Sequence, residues 1–244
     1  MPTKTTGRTL STRRRAFAWA WTPKLPSPIP TTTAVIVVNF NDVPELKKGP
    51  FYYPKKVVSL VRGRDCLYIV LDRGSNQLFN RLQLFKNNGE YVCRLVPPSP
   101  CPIDQVTVMS VNKENEQLVI IDNKNVVHAF EFELFSQLRL TRHFSISGYV
   151  HEASDIAVFK GQYYITDYKT HCVVIYSLEG KQMGKFGGLN ITPYPVGIDF
   201  SKTGDILVGD SHGNPLPHLW CSAVRASRSS TTVATCKRFR VALV

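Results

Sequence analysis

Residues 154–180 read SDIAVFKGQYYITDYKTHCVVIYSLEG, and this stretch decides the fold. Short β-rich runs are separated by turns at Lys160-Gly161 and Glu179-Gly180 and by a polar loop after Asp167. Runs of this length that are bounded by glycine and polar turns predict antiparallel strands joined as hairpins. Residues 185–188, KFGG, supply a fourth strand. The stretch therefore predicts one antiparallel sheet of four strands.

Related stretches lie on both sides of this one, and each carries an aspartate at the end of its second strand. The four blade aspartates are Asp72, Asp122, Asp167 and Asp210. Four strands in a repeat of ~40–45 residues are typical of a β-propeller blade. The predicted fold class is therefore all-β, a partial β-propeller of about three to four four-stranded blades. The predicted units are residues 54–100, 101–150, 151–193 and 194–214, within an incomplete propeller over 34–214.

Two of these units depart from the pattern. The first unit has four extra residues, 77–80, in the loop between its second and third strands. The second unit has a clear apolar strand at residues 117–122, which ends in its blade aspartate, but its later strands look irregular in the sequence. Loops absorb such insertions, so the repeat is retained.

The net charge of +12 lies almost entirely at the two ends of the chain. Residues 1–33 hold six Lys and Arg and no acid, and residues 215–244 hold five and no acid, so the middle is nearly neutral. We expect residues 1–33 to be a disordered basic Pro/Thr-rich segment or a spurious one, with a targeting segment or a nucleic-acid-binding arm as alternatives. Residues 215–244 show no strand periodicity, which predicts an irregular basic tail.

Composition and motifs argue against several functional classes. The hydrophobic fraction of 43% fits a globular protein, and no apolar run reaches the ~20 residues of a membrane-spanning helix. None of the six cysteines forms a C-x-x-C pair, which excludes zinc fingers and RING domains from this sequence. No nucleophile elbow, phosphate-binding loop or H-E-x-x-H motif occurs. We therefore predict a non-enzymatic, cytoplasmic protein that needs no cofactor or metal.

The repeats resemble a known family. The run from Pro195 to Asp210, PVGIDFSKTGDILVGD, looks like an NHL repeat, and so does the stretch from Asp167 to Gly188. The part from His171 to Asn214 resembles the last blades of the Brain tumor group of TRIM-NHL proteins. The resemblance covers residues 54–214 and is strongest over 151–214. It implies a propeller whose rim binds single-stranded RNA in post-transcriptional regulation.

Two positions per repeat are predicted to lie on one rim. They are the residue before the proline of the first strand and the residue after the blade aspartate. The first set is Tyr53, Cys101, His151 and Tyr194, and the second is Arg73, Asn123, Tyr168 and Ser211. Aromatic and Arg side chains can stack on unpaired bases. Rim residues also bind proteins or simply pack a blade edge, so these alternatives stay open.

The blade aspartates also have two interpretations. Recurring carboxylates can be calcium ligands, but calcium needs six to eight oxygens that converge on one point. One aspartate per turn is better explained as an acceptor of backbone N–H bonds that fixes the loop. We therefore predict that Asp72, Asp122, Asp167 and Asp210 are structural and that there is no metal site.

The resemblance implies further partners and a hypothesis about the tail. TRIM-NHL proteins carry a RING, B-boxes and a coiled coil, so the alternative function is a protein-interaction or substrate-recognition module of a ubiquitin ligase. Missing blades or other domains of a longer parent protein are further expected partners. Residues 215–220, PLPHLW, are what a one-base slip would make of a His-Phe-His-Ile-Cys strand, so this tail is either out of frame or a genuine alternative.

Overall fold

The computed structural model describes five antiparallel sheets, and four of them have four strands. It describes side chains for residues 55–62, 65–72, 80–98, 106–133, 136–201 and 204–211. It describes the backbone alone for residues 17–21, 34–38, 45–48, 53–54, 73, 134, 218–226 and 233–242. All regular elements in these residues are strands.

The strands follow one another in chain order within each sheet. The first sheet holds β1 (Phe17–Trp21), β2 (Ala34–Val38) and β3 (Glu45–Lys48). Blade I holds β4 (Tyr53–Arg62), β5 (Asp65–Arg73), β6 (Asn80–Lys86) and β7 (Tyr91–Leu95). Blade II holds β8 (Val106–Asn112), β9 (Gln117–Asp122), β10 (Val126–Leu134) and β11 (Gln137–Ser145). Blade III holds β12 (Ala153–Phe159), β13 (Gln162–Asp167), β14 (Cys172–Ser177) and β15 (Gln182–Gly187). Blade IV holds β16 (Pro195–Phe200), β17 (Ile206–Asp210), β18 (His218–Ala226) and β19 (Val233–Ala242).

The sheets are arranged as the blades of a propeller. The first strands of successive sheets contact one another in the order β1, β4, β8, β12 and β16. Each blade therefore presents its first strand to the first strand of the next blade, and its fourth strand lies furthest from that line. This is the arrangement of a β-propeller, as the repeat predicts.

Blade II is buried on both faces because blades I and III cover it. In β9, Leu118 and Ile120 pack in the core between blades I and II, whereas Val119 and Ile121 pack in the core between blades II and III. All six residues of β9 are buried. A strand covered on both faces reads as a continuous apolar run, which explains the sequence of residues 117–122 without any alternation.

Blade III agrees closely with the sequence-based strands, and blade II corrects one of them. The sequence predicts irregular later strands in blade II, but β10 and β11 form a continuous antiparallel pair. The pair contains bulges between Ala129 and Phe130 and between Phe132 and Leu134. Each bulge inserts an unpaired residue and reverses the alternation of side chains, so the sequence pattern looks broken although the strands are intact.

The two ends contain strands at positions where the sequence shows no strand pattern. Within residues 1–33, Phe17–Trp21 is a strand that pairs with Ala34–Val38, and the rest of that segment lies outside the described residues. Residues 215–244 are predicted to form an irregular tail, and within them the backbone forms β18 and β19, which pair with each other and follow β17 in blade IV. Their side chains, and residues 212–217 where the frame change was inferred, lie outside the described residues.

A bulge recurs at the same place in all four blades. Each first strand pairs one residue with the blade aspartate and shifts register immediately afterwards. The bulged residues are Lys55, Thr107, Ser154 and Val196. A bulge turns an extra side chain away from the normal pleat. The repeat therefore places one additional side chain per blade near the start of the first strand.

Candidate ligand-binding rim

Five of the predicted rim residues lie in loops at one end of the blades, which we call the rim face. This face consists of the turns between second and third strands and the connections from one blade to the next. Asn125 Nδ2 donates to the carbonyl oxygens of Val150 at 3.1 Å and His151 at 3.2 Å, so a turn of blade II meets the connection to blade III. Tyr168 N donates to Glu152 O at 3.0 Å, which joins that connection to the turn of blade III.

The same pattern repeats at blade IV. The connection from blade III contains Tyr194, whose carbonyl oxygen accepts a hydrogen bond from Ser211 N at 2.9 Å. Ser211 Oγ lies 3.4 Å from the same oxygen. Tyr194 and Ser211 were singled out separately in the sequence, and the fold brings them together.

The Asp167 carboxylate holds the rim-face loops of blade III through hydrogen bonds. Its side chain is fully buried and accepts hydrogen bonds from His151 N at 2.8 Å, Glu152 N at 3.1 Å and Lys169 N at 3.0 Å. Thr170 Oγ1 adds a fourth donor at 2.7 Å. Burial raises the pKa of the Asp167 carboxyl, but the hydrogen bonds from His151, Thr170, Glu152 and Lys169 together bring it below its ordinary value.

The other blade aspartates have different partners in comparable positions. Asp122 Oδ1 accepts from Lys124 N and Val126 N, both at 2.9 Å, and Asp122 Oδ2 lies 3.1 Å from His128 Nε2. Asp210 Oδ2 accepts from Tyr194 N at 3.0 Å. In blade I, Asp72 Oδ2 accepts from the Arg81 guanidinium at 2.6 and 2.9 Å. These contacts support the hypothesis that the aspartates are structural.

Three rings meet on the rim face between blades III and IV. The Tyr168 and Tyr194 rings lie 5.5 Å apart, centroid to centroid, at an angle of 42°. The His171 imidazole meets Tyr194 edge to face, with 5.5 Å between centroids and an angle of 85°. These distances are those of stabilising aromatic pairs. We call Tyr168, His171 and Tyr194 the aromatic cluster.

His171 was not among the predicted rim residues, and its backbone is held unusually firmly. It adopts a φ of 58°, which is uncommon for a residue other than glycine. Its carbonyl oxygen accepts from Gly188 N and Thr192 Oγ1, both at 2.7 Å. The nearby Gly187 has a φ of 106°, and a β-carbon there would collide with Thr192 Oγ1. The repeat could not reveal His171, because His171 lies outside the two recurring rim positions.

One backbone contact bears on the tautomer of the His171 ring. Its Nδ1 lies within hydrogen-bonding distance of the Pro193 carbonyl oxygen. A carbonyl oxygen can only accept, so Nδ1 carries the proton in this contact. In the neutral ring, Nε2 is therefore left with a lone pair that can accept a hydrogen bond from a ligand.

His151 lies on the same face but outside the aromatic cluster. Its side chain is 56% exposed, and its Nδ1 is 3.7 Å from Asp167 Oδ2. Asn123 is exposed in the turn after β9. Tyr53 and Arg73 are paired with each other across β4 and β5, and only their backbone is described. Cys101 lies outside the described residues.

The structure offers no obvious centre for metal chemistry in the part of the chain that it describes. No group of three or more His, Cys, Asp or Glu side chains there could hold a metal ion. Among the same residues, no helix is long and apolar enough to span a membrane.

Comparison with known proteins supports the fold and leaves the family open. No model of a known protein family matches the chain, and no curated protein matches it by sequence. The chain is similar to a solved structure of a nidogen/laminin complex, with a TM-score of 0.56 and 14% identity over 84% of this chain and 70% of that one. A protein of unknown function from Bacteroides caccae gives a TM-score of 0.54 and 13% identity over 84% and 68%.

An enzyme is also among the similar structures. Glutaminyl cyclase from Myxococcus xanthus gives a TM-score of 0.50 and 11% identity over 72% of this chain and 76% of that one. Across six similar structures, the chain spans between 50% and 76% of the matched chains. At these identities the likeness concerns the fold alone. The chain has a propeller-like all-β fold of a type used by proteins with different functions.

Proposed function

We propose that the rim face is a binding surface for single-stranded RNA. The aromatic cluster carries the proposal, because Tyr168, His171 and Tyr194 lie together on a face where Tyr168 is 38% exposed. Aromatic side chains that can stack on bases are a common feature of proteins that bind single strands. The resemblance to Brain tumor-like NHL repeats, which is strongest over residues 151–214, points to the same ligand.

The geometry suggests how a nucleotide would sit. The Tyr168 and Tyr194 rings are too close for a base to enter between them, so a base would stack on their outer side. The lone pair on His171 Nε2 would accept a hydrogen bond from an N–H on the edge of a base. Lys124 and Lys169 are exposed on the same face and would attract phosphate groups.

A direct binding experiment tests this proposal. We expect the full chain to bind a fluorescent single-stranded RNA of mixed sequence, and Tyr194→Ala to weaken binding by ~1–3 kcal/mol, the usual value of one stacked base. Tyr168→Ala should act in the same direction. Tyr91→Ala removes a tyrosine that is 46% exposed on β7 and is the matched control.

RNA binding by the full chain alone would not identify the rim face as the site, because the two ends of the chain are basic. Lys and Arg at both ends would bind any polyanion, and this binding would fall steeply with salt. None of the three tyrosine variants changes the charge. If Tyr168→Ala and Tyr194→Ala both bind RNA as tightly as the unsubstituted chain at two salt concentrations, the rim face is not the RNA site.

A second candidate ligand is a protein. Tyr149 and Leu189 are 57% and 60% exposed on the rim face, in the connections that enter blades III and IV. The nidogen/laminin structure shows a propeller-like chain in a complex that contains another protein. The resemblance to TRIM-NHL proteins suggests that such a protein ligand would be a substrate of a TRIM-type ubiquitin ligase. This alternative would be favoured if a protein partner still binds after ribonuclease treatment. Its binding should then be lost with Tyr149→Ser and Leu189→Ser but not with Tyr194→Ala.

A further inference from the structure

Two consecutive residues of blade III hold the first strand of blade IV at the rim end. Ser154 Oγ lies 2.6 Å from Pro195 O, and Asp155 Oδ2 accepts from Ile198 N at 3.1 Å. Because β16 is the edge strand of its sheet, Ile198 N–H needs an acceptor outside that sheet, and the buried Asp155 carboxylate supplies it. Ser154, which donates to Pro195 O, and Asp155, which accepts from Ile198 N, therefore close the seam between these blades.

Asp155 also reaches a third blade. Its Oδ1 accepts from Lys56 Nζ of blade I at 2.6 Å. The two first strands that carry this pair are separated by β8 in the order of the blades. The Lys56 side chain is 34% exposed and the Asp155 side chain 12%, so the pair is partly shielded from water. One carboxylate thus connects blades I, III and IV.

Blade II provides an internal comparison. Thr107 occupies the bulge position that Ser154 occupies in blade III. Its Oγ1 lies 3.0 Å from Ile121 O and 3.5 Å from Asp122 O, which both belong to its own blade. Ser154 Oγ is closer to Pro195 O than to Thr166 of its own blade. The hydroxyl has one proton to donate, and the shortest distance assigns that proton to the hydrogen bond with Pro195 O of blade IV.

We propose that Ser154 and Asp155 are positioning residues for the aromatic cluster. Pro195 directly follows Tyr194, and the Tyr194 ring must stay against Tyr168 of blade III. The bonds to Pro195 O and Ile198 N fix β16 relative to blade III within four residues of Tyr194. Ser154 and Asp155 themselves bind no ligand and act through Tyr194. The consequence for RNA rests on the proposed function.

The experiment uses the full chain and four variants. Asp155→Ala and Ser154→Ala should each speed hydrogen exchange at the Ile198 amide, by about 10-fold for Asp155→Ala, which removes the acceptor of that amide. Both variants should also weaken or remove the contact between the Tyr168 and Tyr194 rings in nuclear Overhauser spectra. Each should also raise the RNA dissociation constant about 3- to 10-fold, since one hydrogen bond is worth about that much. Ser154→Thr keeps the hydroxyl, so its Ile198 exchange rate, ring contact and RNA dissociation constant should equal those of the unsubstituted chain.

The control and the readouts separate the two proposals. Thr107→Val removes the hydroxyl at the matching bulge of blade II and should leave Ile198 exchange, the ring contact and RNA binding unchanged. Unchanged Ile198 exchange and ring contact in both alanine variants would overturn the positioning role. If the unsubstituted chain binds no RNA, the proposed function fails, while the exchange and ring-contact measurements still decide the role of Ser154 and Asp155.

Discussion

The rim face and the opposite face use different means to hold their loops. On the rim face, buried carboxylates such as those of Asp122 and Asp167 accept hydrogen bonds from backbone N–H groups of the loops. On the opposite face, exposed side chains join turns of neighbouring blades: Glu114 Oε1 of blade II accepts from Lys160 N of blade III at 2.6 Å. Arg62 pairs with Glu116 at 3.3 Å on the same side.

This difference explains why a binding surface would lie on the rim face. A loop fixed by a buried carboxylate leaves its exposed side chains available to a ligand, as with His151 and Tyr168. On the opposite face, several exposed charged side chains are occupied in holding the turns, and the Lys86–Glu90 pair at 2.8 Å within one turn is another example. The comparison predicts that buried carboxylates matter most for stability and exposed ion pairs least.

The largest effect is expected from removing a buried carboxylate. Asp167→Ala leaves the amides of His151, Glu152 and Lys169 without their acceptor, and each orphaned donor is costly. We expect a loss of ~2–4 kcal/mol in the free energy of unfolding, measured by chemical denaturation. Lys113→Ala, which removes an exposed ion pair with Asp199 at 3.6 Å, is the control and should leave the denaturation midpoint unchanged. Equal effects would contradict the comparison.

A smaller effect is expected at a turn of the opposite face. Gly180 has a φ of 85°, and a β-carbon there would collide with the Phe144 ring of blade II. Gly180→Ala should lower the free energy of unfolding by ~1–3 kcal/mol through backbone strain and overpacking. Gly148→Ala is the matched control, because nothing lies within 4 Å of a β-carbon at that position and its φ is outside the left-handed region. A cost at Gly148 as large as at Gly180 would show that the packing against Phe144 is not the cause.

The smallest effect concerns pH. The folded-state pKa of Asp167 is lowered below its ordinary value of 3.8, so its ionised form stabilises the fold above about pH 4. This contribution is lost as the pH falls through 3.8 towards the folded-state pKa. We expect the stability difference between the unsubstituted chain and Asp167→Asn to shrink between pH 5 and pH 2.5 in thermal melts. A difference that stays constant over this range would mean that the charge of Asp167 contributes nothing.

The sequence predicts local features well and contacts between blades poorly. Blade III could be read from its period and turns, because hairpin pairing depends on neighbours in the chain. Asp155 accepts hydrogen bonds from Lys56 and Ile198, which lie 99 and 43 positions away in the chain, and no local pattern encodes these contacts. His171 was missed for a related reason, since its place beside Tyr194 depends on the connection between two blades.

The central claim is that RNA contacts the aromatic cluster, and ultraviolet cross-linking tests it most directly. The full chain would be irradiated with a single-stranded RNA that carries photoreactive uridines, and the cross-linked peptides would be mapped by mass spectrometry. We predict cross-links at Tyr168, His171 or Tyr194 that disappear when unlabelled RNA competes. Cross-links confined to the Lys- and Arg-rich ends, residues 1–33 and 215–244, would contradict the claim.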